Sequence, residues 1–300
     1  MMARKPYGGN LQVGQRRNGS AIIAERLARQ TGGSFVQTII LNIPPTLTAN
    51  GNRNMTTPFQ IIGADRPSRF LVTCDHATNR VPDEVGGGTL GLSDADMARH
   101  IAYDPGAAGL TIALAQALDA PAILSNFSRL VIDPNRGDDD PTLVMKLYDG
   151  TLIPANRHVT DTEIARRRTT LYDPYHAAYT TLAARRPDTV IVAVHSFTPC
   201  LQGRIPRPWH IGILHAPADD RLSRTLLTRL NAEPDLCVGD NEPYLGHLPG
   251  DAIDRHSLQM GRLNTLIELR NDLISDAAAQ TRWAQRLAPL LIAALADTKE

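Results

Sequence analysis

The stretch that most constrains this chain is Val190 to Pro199, VIVAVHSFTP. Val190 to Val194 are apolar and mostly β-branched, the pattern of a strand buried on both faces. Such a strand belongs in the middle of a sheet covered by helices. At its carboxyl end come His195, Ser196 and Thr198, and then Pro199, which cannot continue a ladder. In open α/β sheets ligands bind beyond the carboxyl ends of the strands. An imidazole delivered there by a stiff strand is placed for metal binding or proton transfer.

The rest of the chain repeats this theme. Phe70 to Cys74, Ala122 to Ser125, Leu130 to Ile132, Ile211 to Leu214 and Leu263 to Leu269 also read as strands. Helices alternate with them. Ser93 with Asp96 forms a capping box for a helix to about Ala102, broken at Asp104-Pro105-Gly106 before a second, apolar helix to Leu118. Asp104 is read only as that helix break. Thr160 with Glu163 caps a basic helix, Pro174 restarts a helix carrying His176 and Tyr179, and further helices cover Asp219 to Leu230 and about Ser275 to Leu295. Gly239 to Tyr244 reads as a polar loop. The expected architecture is α/β and three-layered: a central, mostly parallel mixed sheet with helices on both faces.

Residues 1–54 are rich in Gly and Asn turns and are expected to be a poorly ordered extension, with residues 55–300 forming a single α/β domain. Thirty-one basic residues balance thirty-one acidic ones, so no nucleic-acid or membrane partner is indicated. The three cysteines are too few and too scattered for a disulfide framework or a zinc knuckle. No apolar run approaches a membrane span, and a cytoplasmic location is expected.

Four strand ends bring chemistry together: His76, the Asn135-Arg136 pair, His195 and Glu268. Two histidines from different strands are a start for a zinc site, which needs three protein ligands and an open position. Glu268 can relay a proton. Arg136 and Asn135 suit a substrate carboxylate, and Arg129 can polarise a carbonyl or hold its oxyanion. Arg204 and Arg207, in a Pro-stiffened loop, are candidates for a second carboxylate. His256 lies in a loop that can cover substrate, whereas His100, His158, His176, His210 and His215 read as structural.

Together these residues resemble the zinc-dependent carboxypeptidase and aspartoacylase superfamily. More closely, residues from about 59 to 290 resemble the N-formylglutamate amidohydrolase family through DHATNRVP, HIAYDPGA, FSRLVIDPNR, DGTLIPANR, HSFTP, RPWHIGIL, GDNEPY and IELRNDL. The resemblance implies a zinc-exopeptidase-like fold, Zn²⁺ bound by His76 and His195, and Glu268 as general base. It also implies hydrolysis of a small N-acyl amino acid, foremost N-formyl-L-glutamate to formate and glutamate. One position departs from the pattern: Asn79 stands where the superfamily's His-x-x-Glu places a metal-binding glutamate. The third ligand is therefore sought among Asp75, Asn79 and Glu242. The alternatives are another N-acyl amino acid or short peptide, or a non-catalytic carboxylate-binding protein that has lost the metal.

Overall fold

Alternation along the strands explains how one sheet is buried on both sides. In the computed structural model, which describes residues 57–299, every residue of the strand Val190–Phe197 is buried. Val190, Val192 and Val194 pack into one helical layer, and Ile191 and Ala193 into the other, as a two-residue repeat requires.

The chain begins with β1 (Phe59–Ile62), β2 (Phe70–Cys74), α1 (Asp94–Met97), α2 (Ala107–Ala117) and β3 (Ala122–Ser125). A small ribbon, β4 (Leu147–Tyr148) and β5 (Thr151–Leu152), precedes α3 (Asp161–Arg167) and α4 (Asp173–Ala183). Then come β6 (Val190–Phe197), β7 (Ile211–Leu214), α5 (Arg221–Asn231) and β8 (Val238–Asp240). The last elements are α6 (Ala252–His256), β9 (Asn264–Arg270) and α7 (Ala277–Asp297).

The described residues build a seven-stranded sheet in the order β1-β3-β2-β6-β9-β7-β8, so β6 is central. Strands β3, β2, β6 and β9 run parallel, while β1 on β3 and β7 on β9 are antiparallel. Helices α2, α5 and α7 cover one face through Leu110, Leu114, Leu226, Leu287 and Leu291. Tyr175, Tyr179 and Leu182 of α4 and Ile253 of α6 cover the other. Each such side chain contributes about 1.5–3 kcal/mol by leaving water. The expected three-layer α/β architecture is the one found. No helix among the described residues is long and apolar enough to cross a membrane.

Five local readings change. Leu130 to Ile132 is a buried turn rather than a strand. Its carbonyls are satisfied by side chains, Asn156 donating to Leu130 O at 2.7 Å and Arg167 to Val131 O at 2.9 Å, so no neighbouring strand is needed. The helix capped by Ser93 stops at Met97. Val238–Asp240, which overlaps the start of the Gly239–Tyr244 segment read as a loop, pairs parallel with β7, and Phe59–Ile62 forms an edge strand. Finally, β6 runs on through His195 to Phe197, so the imidazole is carried within the ladder rather than beyond it. The extension expected over residues 1–54 lies outside the described residues.

Gly106 closes the turn after Asp104. It sits at φ +82°, and a Cβ there would lie 2.4 Å from Ile274 O. Gly106→Ala therefore meets both a left-handed backbone and a backbone collision. Gly87 has φ +68° but nothing within 4 Å of a built Cβ. Gly87→Ala is expected to cost about 1 kcal/mol and Gly106→Ala at least about 2 kcal/mol more, read by denaturant unfolding of both variants. Equal losses would show that the contact with Ile274 is relieved without cost.

Candidate active site

Three adjacent parallel strands deliver the site. His76 follows β2, and His195 on β6 is the register partner of Glu268 on β9. Two-residue alternation places Glu268 on the same face as Leu266, and His195 on the same face as Ala193. The two imidazole rings meet edge to face with centroids 4.9 Å apart.

A buried carboxylate joins them. Asp104 reaches the strand ends because its N–H donates to His76 O at 2.9 Å. Its Oδ2 lies 2.8 Å from His195 Nδ1, 3.3 Å from His76 Nδ1 and 3.3 Å from the Ser196 N–H. The opposite ring edges face other acids. His76 Nε2 donates to Asp133 Oδ1 at 2.7 Å, and His195 Nε2 lies 3.5 Å from Asp75 Oδ2. Asp75 is in turn held by Tyr175 OH at 2.5 Å. Both imidazoles thus turn Nδ1 toward one point and are oriented from behind by a carboxylate, an arrangement widespread among metal-binding histidines.

Among the described residues, His76, Asp104 and His195 form a group whose donor atoms all lie within 4.8 Å of one another. Two nitrogens and one carboxylate oxygen, bordered by a cavity, fit the donor set of a catalytic divalent-metal site. Electrostatics agree. Burial pushes the His195 imidazole down, but the hydrogen bond to Asp104 and the nearby Asp75 carboxylate outweigh it and raise the ring to about 10. Positive charge is therefore strongly favoured between these acids, and a cation can supply it.

Glu268 stands beside the group with Oε2 buried and without a hydrogen-bond partner among the described residues. Burial raises its carboxyl to about 8, against the pull of His195 and Arg129. Arg129 packs over the Tyr148 ring at 5.5 Å, donates to Asp133 Oδ2 at 2.8 and 3.2 Å, and has Nη1 3.5 Å from Asp104 Oδ1. His76, Asp104, His195, Glu268, Arg129 and Tyr148 open on a cavity of about 310 Å³ that Asn135 and Arg136 also line. Asn135 Oδ1 accepts from the Ala252 N–H at 3.3 Å. Arg136 donates through Nε to Thr142 Oγ1 at 3.1 Å and through Nη1 to Asn135 O at 2.7 Å.

Other candidates lie elsewhere. Asn79 donates to Met97 O at 2.8 Å, outside the histidine group. Asp75 stands behind His195 rather than between the histidines, and Glu242 is exposed on the loop after β8. Arg204 is exposed at the tip of a turn, its N–H bonded to Leu201 O at 3.0 Å. Arg207 donates to Thr198 O and lies between the rings of Phe197 and Tyr244. His256 belongs to α6, not to a covering loop. It is buried, stacks on Tyr179 at 3.8 Å and meets His176 Nδ1 at 2.9 Å. Conversely, His100 lines the cavity.

Asp104 and Asp133 were missed as site residues. Asp104 is 28 residues from His76 in sequence and ends no strand, so nothing in local pattern marks it. Asp133 opens the Asp-Pro-Asn-Arg run, in which only Asn135 and Arg136 carry the donor pattern that suits a carboxylate.

A three-layer α/β fold with a two-histidine, one-carboxylate group beside a buried glutamate defines a hydrolase-type architecture. Residues 68–275 match the N-formylglutamate amidohydrolase family, and the chain belongs to it, among hydrolases acting on amide bonds. The structure of a gene product from Agrobacterium tumefaciens superposes with a TM-score of 0.75 at 33% identity, covering 81% of this chain and 96% of that one. The N-formylglutamate amidohydrolase from Ralstonia eutropha shares the fold with a TM-score of 0.54 at 20% identity, over 79% of this chain and 99% of that one. No curated protein matches the chain.

The buried imidazole pair yields a stability prediction. Burial lowers His176 to about 4, and burial with the neighbouring His176 lowers His256 to about 3. The folded state therefore keeps both neutral while the unfolded chain takes up protons below about 6.5. Their contribution is complete above pH 6.5 and is lost as pH falls toward 4. At pH 5 the loss is on the order of 2 kcal/mol per histidine. Urea unfolding at pH 7 and pH 5 is expected to show it, and His256→Gln to reduce the pH dependence by about half. An unchanged slope in that variant would mean that other groups dominate acid unfolding.

Proposed function

We propose that the protein is a metal-dependent amidohydrolase that cleaves the amide of an N-acyl amino acid. N-formyl-L-glutamate, the compound in the family's name, is the first substrate to test. The observation that supports this most is the convergence of His76, Asp104 and His195 beside the unpartnered Glu268 carboxylate, in a cavity that Arg136 also lines. His76 Nδ1, His195 Nδ1 and one Asp104 oxygen would hold the ion, with zinc the cation that best suits nitrogen and carboxylate donors and an open position. When bound, it supplies the Lewis acidity that makes water nucleophilic near neutral pH.

The protein's own groups account for the remaining steps. Arg136 pairs with the substrate carboxylate and so aligns the amide in the cavity. Glu268, desolvated beside His195, accepts a proton from the attacking water and returns it to the leaving nitrogen as the C–N bond breaks. Burial raises its affinity for that proton, and a nearby cation lowers it, bracketing the range in which a base works near neutral pH. Arg129, fixed by Asp133, faces the oxygen on which negative charge develops. Asp75 and Asp133 keep the histidine rings turned toward Asp104.

The ligand assignment separates Asp104 from Asn79. Protein prepared without chelator is expected to carry about one zinc per chain. Asp104→Asn is expected to weaken zinc affinity by at least about 100-fold, whereas Asn79→Ala leaves it within a few-fold. Metal analysis with competitive chelation measures both. Retained affinity in Asp104→Asn would require a different third ligand.

Glu268→Gln tests the base. The variant is expected to retain its metal and lose at least about 10²-fold in kcat for formate release. A folded, metal-loaded Glu268→Gln protein with near-normal turnover would sink this mechanism.

A further inference from the structure

The cavity is chemically two-sided. One side is the polar group just described. The other is apolar: Leu214 and Leu266 at the base, Tyr148 from the β4–β5 ribbon, and Leu245 and Leu248 from the loop following β8. Leu214 and Leu266 are buried core residues, but Leu245 is 79% exposed and Leu248 38%, so apolar surface continues from the core to the mouth.

The charges around this space are unevenly supplied. Arg129 is bound to Asp133 and lies against Asp104. His100 also lines the cavity, with its ring held below its ordinary range by burial. Arg207 is engaged by Thr198 O and two aromatic rings. Arg136, whose Nε lies 3.9 Å from Asp140 Oδ2, keeps an Nη2 that has no hydrogen-bond partner among the described residues. The same cavity carries the acids Asp104, Asp251 and Glu268. One substrate carboxylate thus has a cation to meet. A second would face leucines and three acidic side chains, losing its hydration without a partner.

Resting on the amidohydrolase reading above, we propose that the substrate's side chain is apolar: the protein acts preferentially on N-formyl derivatives of aliphatic or aromatic amino acids. In this arrangement Arg136 takes the α-carboxylate. The scissile amide lies at the histidine–aspartate group, and the side chain lies against Tyr148, Leu245 and Leu248. Those three are specificity-determining residues. A cavity of about 310 Å³ is the size of a small-molecule site and suits a single acylated amino acid.

The test uses the full chain loaded with zinc and measures formate release from N-formyl-L-leucine, N-formyl-L-phenylalanine and N-formyl-L-glutamate. The apolar compounds are expected to exceed the glutamate compound in kcat/KM by at least about tenfold, the scale of burying one isobutyl group. Leu248→Arg is expected to narrow or invert that ratio by giving a second carboxylate a partner, whereas Leu248→Met preserves it. Calorimetric titration of Glu268→Gln with the same compounds reads the wall without turnover, with tighter binding of N-formyl-L-leucine expected. Preference for N-formyl-L-glutamate in both measurements overturns the inference and leaves amide hydrolysis standing, and its loss in Arg207→Met would locate the missing cation. No formate from any compound overturns the reading of the protein as an N-formyl amidohydrolase instead. The titration then judges the wall alone, and equal or weaker binding of the leucine compound counts against it.

Discussion

A single buried carboxylate oxygen, Asp104 Oδ2, organises the centre of this molecule. It receives His195, His76 and the Ser196 N–H, and ties the loop before α2 to the ends of β2 and β6. Burial disfavours the Asp104 anion, but His76 and His195 overcome that and hold its carboxyl far below the ordinary range. Asp133 is similarly kept ionised, chiefly by Arg129, and Asp75 by its contacts with His195 and Tyr175. Each of these charges would cost several kcal/mol if buried alone. They are sustainable only as a set, so removing one member exposes the others to the full desolvation cost. Selection for stability alone favours apolar packing at such a place. Four acids and two imidazoles there imply that the site serves chemistry.

The sheet makes that concentration possible. Parallel strands β2, β6 and β9 bring their carboxyl ends to one edge, and helices on both faces keep that edge dry. Register does the rest: pairing His195 with Glu268 fixes a carboxyl group beside an imidazole without any loop having to find its place. A one-residue slip of β9 would send Glu268 into the layer occupied by Leu287 and Leu291. The apolar runs on β6 and β9 therefore position the polar residues as well as stabilise the fold.

What could be read from the sequence follows from this division of labour. Strands β2, β3, β6, β7 and β9 have strong apolar runs, and His76, His195 and Glu268 were legible as their ends. Asp104 was not legible, because a loop placed it and the determining contact, Asp104 N–H to His76 O, is long-range. Leu130 to Ile132 has the apolar content of a strand, yet two distant polar side chains supply its backbone partners. Val238–Asp240 failed oppositely: Gly239 and Asp240 have poor strand propensity, and pairing with β7 overrides it. The departure at Asn79 pointed toward a lost metal site. In three dimensions Asp104 provides a carboxylate between the histidines, and the Asn79 amide bonds to Met97 O. The same chemistry can thus be reached from another part of the chain.

The shape of the cavity depends on a contact between two backbone segments that carries no side-chain chemistry itself. Arg136 lies on the Asp133–Gly137 turn, while Leu245 and Leu248 lie on the loop that ends at Gly250. These two segments meet backbone to backbone: a Cβ on Gly137 would lie 2.6 Å from Pro249 O, and one on Gly250 would lie 2.9 Å from Gly137 Cα. Neither position tolerates a side chain without separating the segments. The glycine contact therefore sets the distance between the Arg136 guanidinium and the leucines at the mouth of the cavity. Asn135 reinforces it by accepting from the Ala252 N–H at the start of α6. Widening the cavity for a larger side chain by altering Leu248 leaves this spacing intact, whereas altering either glycine moves the cation and the apolar wall apart together. The cavity is accordingly shaped by two layers of structure: the side chains that line it, and the backbone approach that holds their carriers at a fixed separation.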